Sequence, residues 1–214
     1  LRWLKQICKE QTMVRNRFAV LLVFLFLASA GFAQANDVAV SFGGTFSSGV
    51  SGQQFCEAIP VCPTNPVPRS PTPSFSVEVA YANRLANFRV ASLHLEFPVM
   101  FATSRNTGIP DPGFTTFFFT PSVRVKFLPS SGVSPFLSAG GGLARYFGET
   151  KADSKGTFQV GGGLDFKTHL PLLGFRIEAR DFMTGRPDIP SFNSITSGRL
   201  QNIFVGGGIT LHWR

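Results

Sequence analysis

Beyond residue 35 the chain has no segment whose apolar residues keep a sustained helical spacing, which leaves strands as its building elements. Cysteine is scarce: of three in 214 residues, only Cys56 and Cys62 lie past residue 35. No histidine or second cysteine pair stands near them, which argues against a zinc site. No run of lysine or arginine occurs after residue 35, which argues against a nucleic-acid partner. The longest continuous apolar run, Phe18 to Ala28, has eleven residues and is too short to cross a bilayer as a helix. Tyrosine and tryptophan number two each, against 24 phenylalanines. What remains is a chain rich in phenylalanine and glycine, sparing with charge, and alternating in polarity.

Residues 1–35 have the layout of an export signal. Arg15 and Arg17 precede the apolar run, and Ala33-Gln34-Ala35 supplies small residues for cleavage before Asn36. Met13 is the expected initiator. Cys8 lies upstream of the apolar run, out of place for a lipoprotein cysteine. The whole chain carries a formal charge of +8, but residues 36–214 hold 15 basic and 11 acidic groups, or +4. The high isoelectric point is therefore partly a property of the leader. Residues 36–214 are one domain's worth of chain. An exported chain matures where disulfides persist, so a local Cys56–Cys62 bridge is the leading expectation, with two free thiols as the alternative.

Alternation with a period of two marks eight strands: 38–46, 74–85, 88–103, 115–128, 133–148, 156–169, 173–183 and 199–213. Ala86-Asn87, 129–132 and 170–172 join three pairs tightly. The connections 47–73, 104–114, 149–155 and 184–198 are longer, and short and long alternate strictly. A transmembrane barrel segregates them in this way, with short periplasmic turns and long external loops. On the third strand Ala91, Leu93, Leu95, Phe97, Val99 and Phe101 share one face, and Ser92, His94, Glu96 and Pro98 the other. The fourth sets Phe117, Phe119, Val123, Val125 and Phe127 against Thr120, Ser122, Arg124 and Lys126. The sixth sets Phe158, Val160, Leu164 and Phe166 against Gln159, Asp165 and Lys167. The seventh sets Phe175, Ile177 and Ala179 against Arg176, Glu178 and Arg180.

Alternation alone does not say which face is inside. The export signal, the phenylalanine-rich apolar faces and the terminal strand ending on Trp213 favour an inverted arrangement, with apolar side chains toward lipid. A sheet in lipid must close, because an open edge leaves backbone groups unsatisfied. The expected fold is all-β: a closed, antiparallel, eight-stranded transmembrane up-and-down β-barrel.

The segment Ser134-Pro135-Phe136-Leu137-Ser138-Ala139-Gly140-Gly141-Gly142-Leu143 and the terminal strand with Trp213 resemble the small eight-stranded outer-membrane proteins of the OmpA/OmpX type. The resemblance covers residues 36–214. It implies a bacterial outer-membrane location, contact with outer-membrane lipid, and Trp213 as an assembly signal read by the outer-membrane assembly machinery. Arg214 after the closing aromatic and the scarcity of Tyr and Trp depart from that pattern. No periplasmic peptidoglycan-binding domain is expected after the last strand.

Three glycine triplets, Gly140–Gly142, Gly161–Gly163 and Gly206–Gly208, sit within strands where nothing helical follows, so they are no phosphate cradle. Their expected task is to allow tight bends and close approach in a narrow barrel. If the polar faces line the lumen, Glu78, Glu96, Asp165 and Glu178 meet Arg124, Lys126, Lys167, Arg176 and Arg180, with His94 joining them. Buried charges must pair, so an ion-paired plug is expected, with a narrow gated pore as the alternative. His94 and Glu96 invite an acid–base role. Lipid A deacylases on this fold, however, place Ser-Asn-Ala after their histidine, and here Leu95 and Glu96 follow. No catalytic residue, metal or cofactor is expected. Loop 47–73, with 27 residues including six prolines and both cysteines, and loop 184–198, with Arg186 and Asp188, are the expected external recognition surfaces. The chain is expected to be a non-enzymatic monomer with a structural or surface-interaction role. Its rivals are a narrow channel for small or apolar solutes and, less favoured, a lipid-modifying enzyme.

Overall fold

The computed structural model describes residues 35–52, 67–68, 72–105, 113–170, 172–189 and 195–213. The leader, Cys56, Cys62 and most of loop 47–73 lie outside the described residues. The elements are β1 (Asn36–Gly52), β2 (Val67–Pro68), β3 (Ser74–Asn87), β4 (Ala91–Arg105), β5 (Phe114–Phe119), β6 (Ser122–Phe127), β7 (Val133–Phe147), β8 (Ala152–Lys167), β9 (Leu173–Gly185) and β10 (Ile195–Trp213). β5 and β6 are one barrel strand interrupted at Thr120-Pro121, where proline has no N–H for the ladder. β2 is a two-residue pairing on the far end of β1. Eight staves therefore form the wall.

Every neighbouring pair is antiparallel, and β10 returns to β1 in a register running from Asn36↔Trp213 to Gly52↔Ile195. That pairing closes the eight staves into a cylinder. Short turns at 88–90, 128–132 and 168–172 gather at the end that holds Asn36 and Trp213. The expected two-residue turn at Ala86-Asn87 falls instead at 88–90. A bulge between Arg84 and Ala86 shifts the register, so that Asn87 still pairs with Ser92 and Phe88 N–H donates to Ala91 O at 2.8 Å. The expected loop 149–155 shrinks to 148–151, because β7 and β8 pair out to Phe147↔Ala152.

Side chains alternate through the wall with their polarity inverted. Arg124, Glu96 and Thr120 are fully buried, whereas Phe75 is 55% and Leu137 61% exposed. Burying guanidinium groups while leaving phenylalanines open is unfavourable in water and favourable in lipid. The glycines make this narrow wall possible. A Cβ on Gly208 would strike Val40 O and lie 2.6 Å from Ser41 Cα on β1; one on Gly163 would lie 2.9 Å from Glu178 Cα. These are backbone obstacles that no side-chain rotation relieves.

Candidate functional site: a two-layered lumen

The inward positions of β1, β3, β4, β6, β8 and β9 converge on one ionic layer toward the short-turn end. Glu96 on β4 is its centre. Its carboxylate accepts from Arg180 Nη1 and Nη2, both at 3.1 Å, from Arg124 Nη1 at 3.2 Å and from Ser122 Oγ at 3.2 Å. Arg176 Nη1 approaches at 3.5 Å. Arg176 also grips Asp165 in two places, Nε to Oδ1 at 2.7 Å and Nη2 to Oδ2 at 3.2 Å. Lys126 Nζ joins Asp165 Oδ2 at 2.7 Å. Arg180 Nε and Nη2 donate to Glu178 Oε2 at 3.0 and 2.9 Å, and Ser41 Oγ donates to Glu178 Oε1 at 2.5 Å. Glu78 Oε1 lies 3.0 Å from Arg180 Nε but accepts no aligned hydrogen bond, because that N–H points to Glu178. Arg176 and Arg124 also lie over the Phe136 ring, at 4.6 and 5.5 Å from its centroid.

One of the expected residues stands differently, and one residue joins the layer unannounced. Lys167 is exposed at the last position of β8 and donates to Pro129 O at the turn, outside the ionic layer. Asp37, which sequence alone did not single out, lies inside it. Arg124 Nη2 donates to Asp37 Oδ2 at 2.8 Å, and His212 Nδ1 meets Asp37 Oδ1 at 2.8 Å. Asp37 thus ties β1 to β6 and, across the closing seam, to β10. Its signal was available: it shares inward parity with Ser41 one residue before the first predicted strand.

His94 does not touch Glu96 by any hydrogen bond. Its Nε2 contacts Ser92 Oγ at 2.9 Å, and its Nδ1 is 3.9 Å from Asp37 Oδ2. A second hydroxyl–imidazole–carboxylate chain runs from Thr210 Oγ1 to His212 Nε2 at 3.1 Å and on to Asp37. The two chains look like acyl-transfer relays, but Ser92 and Thr210 are 1% and 0% exposed. A nucleophile needs room for the attacked carbonyl, and neither hydroxyl has it.

Toward the long-loop end the lumen changes character. Met100, Phe114, Phe118, Ala144, Tyr146, Phe182, Leu200 and Phe204 form a buried apolar layer, with the Phe118 and Phe182 rings 4.7 Å apart. The strap after β9 closes it. Ile189 is 1% exposed within this cluster, and Asp188 is clasped to the β7–β8 turn. Lys151 Nζ meets Asp188 Oδ2 at 2.5 Å, and Asp188 N–H donates to Asp153 Oδ2 at 2.6 Å. The hydrogen bond and charge of Lys151 hold the Asp188 carboxyl below the usual aspartate range. This upper layer was not foreseen, because phenylalanines on both faces of a strand blur the alternation.

Closed antiparallel topology, eight staves, a polar interior and an apolar exterior define the fold of the small eight-stranded outer-membrane β-barrels. Among solved structures the chain is similar to Neisserial surface protein A (NspA), with a TM-score of 0.50 and 14% identity over 81% of this chain and 96% of that one. It is also similar to the outer membrane protein OprG from Pseudomonas aeruginosa, with a TM-score of 0.50 and 9% identity over 85% and 97%. No family model matches the chain, and no curated protein does.

Proposed function

We propose that this chain is an exported, monomeric barrel of the bacterial outer membrane, with a lumen plugged by ion pairs and a structural or surface-interaction role carried by its long loops. Residues 1–35 serve as the cleaved leader, and Trp213 as the signal to the assembly machinery. The observation that carries this reading is the inversion of the wall: buried arginines inside, open phenylalanines outside. The plug is supported by the mutual pairing of Arg124, Arg176 and Arg180 with Asp37, Glu96, Asp165 and Glu178. Neither hydroxyl–histidine–aspartate chain has an open nucleophile, which favours a non-enzyme. Cell fractionation and gel mobility test the reading. The expected result is an outer-membrane band whose mobility changes on heating; a soluble periplasmic protein overturns it. Planar bilayers test the plug, where little or no steady conductance is expected and a porin-sized open channel refutes it.

A narrow path for small apolar solutes is the second reading, favoured by the aromatic upper lumen beneath the Ile189 strap. Uptake of an apolar solute that rises on Ile189→Ser, with an unchanged fold, would select it over the plug.

A further inference from the structure

The outer wall of β8, β9 and β10 is not smooth. A groove of about 570 Å³ is lined by Gly142, Gly156, Phe158, Met183, Gly185 and Arg199, together with Thr157 and Thr184. A second hollow of about 330 Å³ is lined by Val160, Gly161, Ala179, Arg180, Asp181 and Ile203. The ladder joins them, because Phe158 pairs with Met183 and Val160 with Asp181, which in turn pairs with Ile203. The hollow exists because glycine and alanine stand at outward positions where the rest of the wall carries large side chains.

Its polar groups are sparse and stacked in order. On β10 the outward residues from Trp213 to Ile203 rise about 25 Å along the barrel axis, the height of an apolar belt. Asp181 pairs with Ile203 at the top of that belt. Arg199, exposed and four residues further along β10, stands at the rim. Among the described residues Arg199 makes no ion pair, and Asp181 makes neither an ion pair nor a hydrogen bond; its Oδ1 is covered by protein without a partner, so Oδ2 is the oxygen that can meet a donor from outside the wall. A carboxylate left without a donor on a lipid-facing wall is costly, so a donor from the surroundings stabilises it.

We propose that this groove docks one membrane lipid of a definite chemistry: a phosphate headgroup at Arg199, an N–H or O–H donor at the chain linkage for Asp181, and an acyl chain along Phe158, Val160 and Ala179. Phosphate above and donor below select an amide-linked or hydroxylated phospholipid over an ester-linked one. The proposal rests on the outward wall facing lipid.

Three probes separate its parts in native mass spectrometry of the delipidated full-length barrel: ceramide 1-phosphate, phosphatidic acid and ceramide. The expected result is one tightly retained ceramide 1-phosphate, favoured at least tenfold over either of the other two. Arg199→Gln removes the preference over ceramide and keeps that over phosphatidic acid; Asp181→Leu does the reverse. Gly156→Leu fills the groove and abolishes retention, and a Cβ at Gly156 meets nothing within 4 Å, so the fold tolerates it. Arg145→Gln, at an exposed arginine outside the groove, leaves all three unchanged. Equal retention of the three lipids, or variants that behave as wild type, overturns the proposal. Displacement of ceramide 1-phosphate by inorganic phosphate alone marks a free-anion site and also overturns it. Heat-modifiable mobility, scored on every sample, reports failure of the membrane reading separately from failure of the groove.

Discussion

Glu96 is the acceptor that three guanidinium groups share, and its loss leaves Arg124, Arg176 and Arg180 with an excess of charge in a dry space. Glu96→Ala is expected to destabilise the barrel by about 3–5 kcal/mol, read as a lower urea midpoint in detergent micelles. Lys167→Ala, at an exposed rim position, is expected to shift that midpoint by no more than about 0.5 kcal/mol. Asp188 behaves differently because it lies on the strap. Its folded-state carboxyl titrates below the ordinary aspartate range, so its share of strap stability is present at neutral pH and is lost as pH falls through that depressed value. A spin label on Arg186 should stay immobile through mildly acidic pH and loosen only below the usual aspartate range. Loosening near pH 6 would contradict the clasp.

At the scale of the strand, the alternation of Leu93, Leu95 and Phe97 with Ser92, His94 and Glu96 was enough to set both faces, since a period of two leaves no other register. The ionic layer followed from the same parity. Two features did not. Phe118, Phe182 and Phe204 share the parity of the charges, so hydrophobicity alone misassigns them; only closure into a cylinder shows that an apolar inner position is a second layer. Asp37 escaped because its partners are 87 and 175 residues away in Arg124 and His212. Glycine within the triplets was legible as close approach, but not which position is indispensable. The backbone around them separates the positions: Gly163→Val forces β8 off β9 and should cost at least about 1–3 kcal/mol, measured against Gly141→Val, whose Cβ meets only Thr157 O at 3.5 Å and which should be near neutral.

For the molecule as a whole, an ionic layer below and an aromatic layer above place two different obstacles on one axis. An ion crossing the lower layer must displace paired charges, and then meets rings offering it no hydration. A small apolar solute meets the reverse order. Deleting residues 53–66 should leave the wall and its heat-modifiable mobility intact, since β1 pairs with β3 and β10 without that segment. Loss of cell-surface binding in the same variant would assign recognition to the loop.

The seam between the first and last staves has a consequence for chain order. Asn36 and Trp213 are ladder partners at the same end of the cylinder, so a linker of a few residues can span them, while a cut between 148 and 151 opens the chain at a turn. The neighbour relations of all eight staves survive that rearrangement. Such a circular permutant should close into the same cylinder, with Asp37 and His212 meeting inside one continuous hairpin instead of across the two extremes of the polypeptide.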